Sequence, residues 1–236
     1  MLDTLLGPLP ATSIDEVVAK MTAIDGALSD ADGLKWFNRL YLNVTRGVRA
    51  ELAGRTAFRD PAFVDRLDVI FANLYFDAAI AGDASPAASP PAWRPLFAAR
   101  HRALTPLQFA LAGMNAHINR DLPLGIVMAF HELGGAPTDT DARHADFEQV
   151  NEVLERVEQT IKADFATGVI GAIDVAAGSA DDLVAMWKVR VAREAAWTNA
   201  EVLWALRAQP LLRDRYFARL DGLTGLAGRG LLVPAS

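Results

Sequence analysis

Cysteine is absent from the 236 residues of the sequence. This excludes disulfides, thiolate nucleophiles, and zinc or iron–sulfur centres held by cysteine. The first ten residues, MLDTLLGPLP, also lack the basic and apolar segments of a secretory signal. We therefore expect a cytoplasmic protein.

Long apolar runs and an excess of basic residues are missing as well. Although 52% of the residues are hydrophobic, no run approaches the roughly 18 apolar residues that a membrane-spanning helix needs. The formal net charge is −6, whereas nucleic-acid binding needs a basic surface. We expect neither a membrane span nor a nucleic-acid partner, and the sequence leaves the oligomeric state open.

Strand patterns are also missing, and the apolar residues recur at helical spacing, as in IDEVVAKM at 14–21. Capping residues that start helices precede many of these segments, namely Ser13, Asp60, Thr105, Asp141 and Asp181. The patterns predict an all-α protein. It would be a bundle of about eight or nine helices, near residues 13–27, 31–53, 61–81, 91–101, 106–120, 123–133, 141–167, 181–208 and 211–221.

One helical domain is expected to span residues 1–236. The proline-rich stretch GDASPAASPP at 82–91 predicts a surface loop. Residues 1–12 and 222–236 are interpreted as loosely ordered tails or docking segments, the second because GLTGLAGRG at 222–230 is rich in glycine.

The block GMNAHINRDLP at 113–123 concentrates hydrogen-bonding groups in an otherwise apolar helix. His117 and Asp121 are four residues apart and therefore neighbours on one helix face. Ala110 and Gly113 on the same flank are small enough to admit another helix or a ligand. Pro123 is expected to end or kink the helix. Two interpretations stay open: the pair forms a functional site, or it is a hydrogen-bonded pair that ties the bundle together.

Other polar residues also border apolar stripes. Asp68 is interpreted either as an acid of raised pKa or a metal ligand, or as the partner of one of the many arginines. His144, near a helix start, is interpreted as a surface residue. A stripe that holds Arg190, Arg193 and Trp197 predicts an inward-facing surface, which would hold either a ligand or core contacts such as arginine–carboxylate pairs.

Several common catalytic motifs are missing, namely DDxxD, HExxH, paired ExxH and GxSxG. The pair His117-x3-Asp121 has metal-ligand spacing. It is similar to the H-x3-D element of the all-helical zinc-dependent phospholipase C and single-strand nuclease family. That family uses many histidines, whereas this sequence has four. One divalent metal ion held by His117 and Asp121 remains an alternative to a cofactor-free protein.

The block GMNAHINRDLP resembles the hallmark of a largely actinobacterial family of unknown function. FRDPAFVDRLDVIFANLYFDA at 58–78, DFEQVN at 146–151 and REAAW at 193–197 extend the resemblance in the same order. The resemblance implies no reaction, but it singles out residues from four predicted helices, namely Asp68, Tyr75, His117, Asn119, Asp121, Asp146, Asn151, Arg193 and Trp197. They are expected to form one central polar cluster.

The leading hypothesis is a small-molecule enzyme of secondary metabolism, a cyclase, isomerase or lyase acting on an apolar substrate. His117, Asp121 and Asp68 would be catalytic, with Asp121 orienting the His117 imidazole for proton transfer. Substrate would be bound by Asn119, Tyr75, Asp146, Asn151, Arg193 and Trp197. The alternatives are a metal-dependent hydrolase centred on His117 and Asp121, and a non-catalytic ligand-binding or structural domain.

Overall fold

The computed structural model describes residues 1–54, 58–166 and 189–234, and within these ranges every regular element is helical. The prediction of an all-α bundle is confirmed. The α-helices are α1 Leu2–Leu6, α2 Ile14–Ala27, α3 Gly33–Ala53, α4 Pro61–Ala84, α5 Arg94–Ala99, α6 Pro106–Ala116, α7 Leu122–Leu133, α8 Ala142–Ala166, α9 Val189–Ala205 and α10 Pro210–Leu231. A 3₁₀ turn covers Pro86–Ala88, and a π-helical turn at His117–Asp121 joins α6 to α7.

Side-chain caps begin several of these helices where the sequence predicted them. Ser13 accepts a hydrogen bond from the Glu16 amide, and Asp60 accepts one from the Phe63 amide. Thr105 forms a complete capping box with Gln108. The predicted start at Asp181 lies outside the described residues.

Two hydrophobic clusters form the interior. The first is built mainly by α1–α5 and contains Phe37, Tyr75 and Trp93. The second is built by α4, α7, α8 and α9 and contains Phe130 and Trp197. The helix α4 contributes to both clusters, and α6 packs against α3 and α10. None of the helices in the described ranges is long and apolar enough to cross a membrane.

Of the two interpretations of residues 222–236, the docking segment agrees with the structure, because α10 continues to Leu231, ten residues beyond its predicted end at 221. The glycines of this segment permit close packing. A Cβ atom at Gly225 would lie 2.4 Å from the carbonyl oxygen of Pro91, and one at Gly228 would lie 3.4 Å from the Asn115 amide nitrogen. Gly225 and Gly228 therefore lie on the packing face of a helix, which the sequence alone does not distinguish from a flexible tail.

The N-terminal residues 1–12 and the predicted loop at 82–91 also contain regular structure. Leu2 and Leu6 of α1 are buried in the first hydrophobic cluster, so residues 1–12 include a docking segment. The helix α4 runs to Ala84, three residues beyond its predicted end. The 3₁₀ turn that follows it is exposed, as expected for a surface loop.

Candidate functional site

The centre of the GMNAHINRDLP block is a π-helical turn. The Leu122 amide donates to the His117 carbonyl, five residues back, instead of four. Pro123, which has no N–H to donate, occupies the first turn of α7. The helix therefore widens at the position where the proline was expected to end or kink it. Such turns occur frequently at functional sites.

The Asp121 carboxylate is fully buried and accepts three hydrogen bonds. Its Oδ2 atom lies 2.9 Å from Trp93 Nε1 and 3.0 Å from His117 Nδ1. Its Oδ1 atom accepts a hydrogen bond from Arg120. Arg120 Nε also lies 3.4 Å from Asp221 on α10. The carboxylate therefore joins α5, the π-turn and, through Arg120, α10.

The His117 imidazole is enclosed by aromatic rings. Phe71 stacks on it at a centroid distance of 3.4 Å with an interplanar angle of 4°, and Tyr41 meets it edge-on at 4.5 Å. Burial lowers the pKa of His117, although Asp121 opposes this shift. The neutral imidazole donates its Nδ1 proton to the Asp121 carboxylate, so Nε2 carries a lone pair. That Nε2 atom is buried and has no hydrogen-bond partner among the described residues.

Other buried polar groups lie on the neighbouring helices. Tyr41 and Thr45 are four residues apart on α3, and Asp68 lies on α4, three residues before Phe71. Burial, and secondly the charge of Asp68, raise the pKa of Tyr41, whereas the Thr45 hydroxyl opposes this shift as a hydrogen-bond partner. Asp68 Oδ2, like His117 Nε2, has no hydrogen-bond partner among the described residues. Since buried polar groups are normally paired, these two atoms are the candidate contacts for a bound molecule.

Asp68 keeps its proton at neutral pH. Burial, and to a smaller extent the charge of Asp65, raise its pKa from 3.8 to about 8. No arginine forms a salt bridge with it among the described residues. Of the two interpretations of Asp68, the acid of raised pKa agrees with this environment.

A groove of about 650 Å³ opens between α2, α3 and α4. Its lining includes Arg49 on α3 and Asp65 on α4. Arg49 is four residues from Thr45 and Asp65 is three residues from Asp68, so each pair shares a helix face. The groove therefore lies on the same seam between α3 and α4 as Thr45 and Asp68.

The structure brings Asp68, His117, Asp121 and Tyr75 into one neighbourhood. The Tyr75 hydroxyl lies 3.2 Å from Asn38 Oδ1, and its ring is 6.1 Å from the His117 ring. Asn119 donates instead to Asn115 Oδ1 at 3.1 Å, and Asn115 donates to the Thr224 carbonyl on α10. Asn119 therefore supports the contact with α10.

The remaining predicted site residues lie elsewhere, so the expected single polar cluster is divided. Asp146 accepts hydrogen bonds from the amides of Arg59 and Asp60 at 2.8 and 2.6 Å, and thereby fixes the start of α4. Asn151, Arg193 and Trp197 lie between α8 and α9, beside the second hydrophobic cluster. The sequence could not reveal this division, because each of these residues borders an apolar stripe in the same way.

The predicted inward stripe of α9 is correct only in part. Arg193 and Trp197 are buried, but Arg190 is exposed and pairs with Glu155 at 3.2 Å. Among the described residues, Arg193 forms none of the arginine–carboxylate pairs expected of this stripe. Its Nε atom donates to Asn151 Oδ1 at 2.8 Å, and it also donates to the Phe147 carbonyl.

His117 and Asp121 are poor candidates for a metal site, because His117 Nδ1 and both Asp121 oxygens are engaged in hydrogen bonds. The described residues contain a different set with ligand geometry, formed by His144, Glu148 and Glu194. His144 is largely buried, with a side-chain exposure of 16%, and is not the surface residue expected. The spacing His144-x3-Glu148 was the available signal, and the sequence analysis missed it.

The comparisons with known proteins agree with the resemblance seen in the sequence. No curated protein and no solved structure matches the chain. The model of one family, described as a family of unknown function (DUF5995), matches residues 14–234. Because that match covers nearly all of the bundle and both polar groups, the chain belongs to the DUF5995 family.

Proposed function

We propose that this protein is a small-molecule enzyme that transfers protons within an apolar substrate, as a cyclase, isomerase or lyase does. The observation that carries the proposal is the buried, unpaired Nε2 atom of His117, together with the buried and unpaired Asp68 Oδ2 on the neighbouring helix. His117 is the general base, Asp68 is the general acid, and Asp121 is the positioning residue of the base.

The protonation states of His117 and Asp68 agree with these roles. Asp121 holds the Nδ1 proton of His117, which leaves the Nε2 lone pair free to accept a proton. Asp68 keeps its proton at neutral pH because its pKa is raised to about 8. One site therefore contains an unprotonated base and a protonated acid at the same pH, as acid–base catalysis requires.

The surroundings of the site favour an apolar substrate. Phe37, Phe71 and Tyr41 contact the imidazole through their rings, so a substrate near Nε2 would meet mainly aromatic carbon. Entry would be from the groove between α2, α3 and α4, whose lining residues Arg49 and Asp65 lie one helical turn from Thr45 and Asp68. The proposal includes the expectation of a cytoplasmic enzyme of secondary metabolism that uses no cofactor at this site.

A solvent-exchange assay tests the proposal. Wild-type protein is incubated in D₂O with a library of apolar ketones, unsaturated acids, and terpenoid- and polyketide-like compounds, and deuterium uptake is followed by mass spectrometry. We expect uptake in at least one compound, at least about 100-fold slower with His117→Gln. His131→Gln, on the exposed face of α7, is the matched control and should exchange like the wild type.

A second measurement keeps the test independent of the library. Nitrogen NMR at pH 7 should show a neutral His117 with its proton on Nδ1. Circular dichroism should show that each variant is folded. Exchange in none of the compounds, equal exchange by wild type and His117→Gln, or a cationic His117 at pH 7 would each overturn the proposal.

The complete hydrogen bonding of the Asp121 carboxylate favours a second candidate, a non-catalytic domain in which Asp121 only holds the helices together. All three of its donors lie inside the protein, as expected of a group that only ties helices together. In that case, substitution of Asp121 would lower stability, whereas substitution of Asp68 would change neither ligand binding nor exchange. The D₂O assay with Asp68→Asn therefore distinguishes the two candidates.

A further inference from the structure

A second polar site lies between α8 and α9, away from the proposed acid–base site. His144 and Glu148 are four residues apart on α8, and Glu194 faces them from α9. One imidazole nitrogen and one oxygen of each carboxylate lie within 4.8 Å of one another. Ligands of a single metal ion, bound at about 2.0–2.2 Å, are separated by up to about 4.2 Å. Small side-chain rotations would therefore close the set around one ion.

A buried nitrogen that faces this site is unpaired within the described ranges. His144 Nε2 has no hydrogen-bond partner, and it is 3.9 Å from the nearest oxygen of Glu194. Trp197 covers the imidazole: it is only 1% exposed, and its ring centre is 4.6 Å from that of His144. The carboxyl groups of Glu148 and Glu194 interact with each other, and Glu201 accepts a hydrogen bond from Trp197. A bound ion would supply a partner for His144 Nε2 and would neutralise the two adjacent carboxylates.

A chain of hydrogen bonds orients one of the candidate ligands. Arg193 Nε donates to Asn151 Oδ1 at 2.8 Å, and Asn151 Nδ2 donates to Glu148 Oε2 at 3.1 Å. Glu148 is therefore held by one oxygen, and its carboxyl group lies close enough to that of Glu194 to share a hydrogen bond with it. Outer partners of this kind typically fix the direction of a metal ligand. Arg193 itself is held in place by the Phe147 ring, 4.0 Å from its guanidinium carbon.

We propose that His144, Glu148 and Glu194 bind one divalent transition-metal ion. The set has two carboxylates, and the buried Arg193 beside it gives its hydrogen bonds to Asn151 and a carbonyl instead of to the carboxylates. A divalent cation would balance the remaining negative charge. Imidazole with carboxylate suits first-row transition metals such as Zn²⁺, Mn²⁺ or Fe²⁺ better than Ca²⁺ or Mg²⁺. Three protein ligands leave coordination positions open for water or substrate.

Metal titration of the full chain tests this site independently of any activity. Protein freed of metal with a chelating resin is titrated with Zn²⁺, and separately with Mn²⁺, by calorimetry at pH 7. We expect one ion per chain. Glu194→Gln is the primary variant because its side chain is half exposed and its replacement should not disturb the core. It should weaken binding at least about tenfold, and Asn151→Ala should weaken it about 10–100-fold.

Matched controls are available on the surface. Glu152→Gln removes an exposed carboxylate from α8, and His101→Gln removes an exposed histidine, so neither should change binding. The metal should raise the melting temperature of the wild type but not that of Glu194→Gln. The proposal would be overturned if neither Zn²⁺ nor Mn²⁺ bound at one ion per chain. It would also be overturned if Glu194→Gln left the binding unchanged.

Discussion

Replacing Asp121 with asparagine would test whether its buried carboxylate holds the helices together. Three donors converge on its two oxygens: Trp93 Nε1 and His117 Nδ1 at Oδ2, and Arg120 at Oδ1. An amide has only one acceptor oxygen. In either orientation its NH₂ group would face a donor, and the charge that pairs with Arg120 would be lost.

The expected cost follows from the burial of this group. Asp121 is 0% exposed, so water cannot replace a lost partner. Breaking a buried ion pair costs about 3–5 kcal/mol, and we expect Asp121→Asn to lower the free energy of unfolding by that amount. Urea unfolding monitored by circular dichroism measures this loss. The dependence of the unfolding free energy on urea concentration should be the same for the variant and the wild type.

A surface aspartate provides the matched control. Asp214 is 65% exposed and pairs only with its neighbour Arg213 among the described residues, so Asp214→Asn should change stability by no more than about 1 kcal/mol. A loss below about 1 kcal/mol for Asp121→Asn would refute the reasoning. It would mean that the three donors find other acceptors.

Two further predictions concern Asp68 and the glycines of α10. The folded protein keeps the Asp68 proton between pH 4 and its raised pKa of about 8, whereas the unfolded chain has lost it. Wild-type stability should therefore fall relative to Asp68→Asn by up to about 1.4 kcal/mol per pH unit in this window. Urea unfolding at pH 5 and pH 8 measures this, and a pH-independent difference would contradict it. On α10, Gly225→Ala should cost about 1–3 kcal/mol because its Cβ would meet the Pro91 carbonyl. Gly222→Ala, which faces open space, should stabilise by up to about 1 kcal/mol. Equal melting temperatures for the two variants would contradict the packed helix.

Local sequence predicted the helix starts well because the relevant bonds join residues that are close in the chain. Thr105 and Gln108 are three residues apart, and both bonds of their capping box are present. The pairing of His117 with Asp121 follows from helical geometry in the same way, and the structure places the two at hydrogen-bond distance.

Contacts between distant segments could not be predicted in this way. Nothing near Gly225 in the sequence indicates that the Pro91 backbone will lie against it. One of the rings that enclose His117 comes from Tyr41 on α3, which no local pattern connects to the GMNAHINRDLP block. The metal-ligand spacing of His144 and Glu148 was visible, but the burial of His144 depends on Trp197 of α9, whose ring packs against it from a separate helix.

The π-turn also sets the angular phase of the two helices that it joins. Upstream, α6 packs against α3 and α10; downstream, α7 packs against α4 and α9. One residue corresponds to about 100° of rotation in an α-helix. The π-turn fits one additional residue into about one turn, because its hydrogen bond spans five residues instead of four. If the same residues formed an ordinary α-helix, every α7 side chain would be turned by about 100° relative to α6 and would leave its contacts with α4 and α9. Deleting a single residue within 117–121 should therefore restore an ordinary helix with α7 in nearly its present orientation.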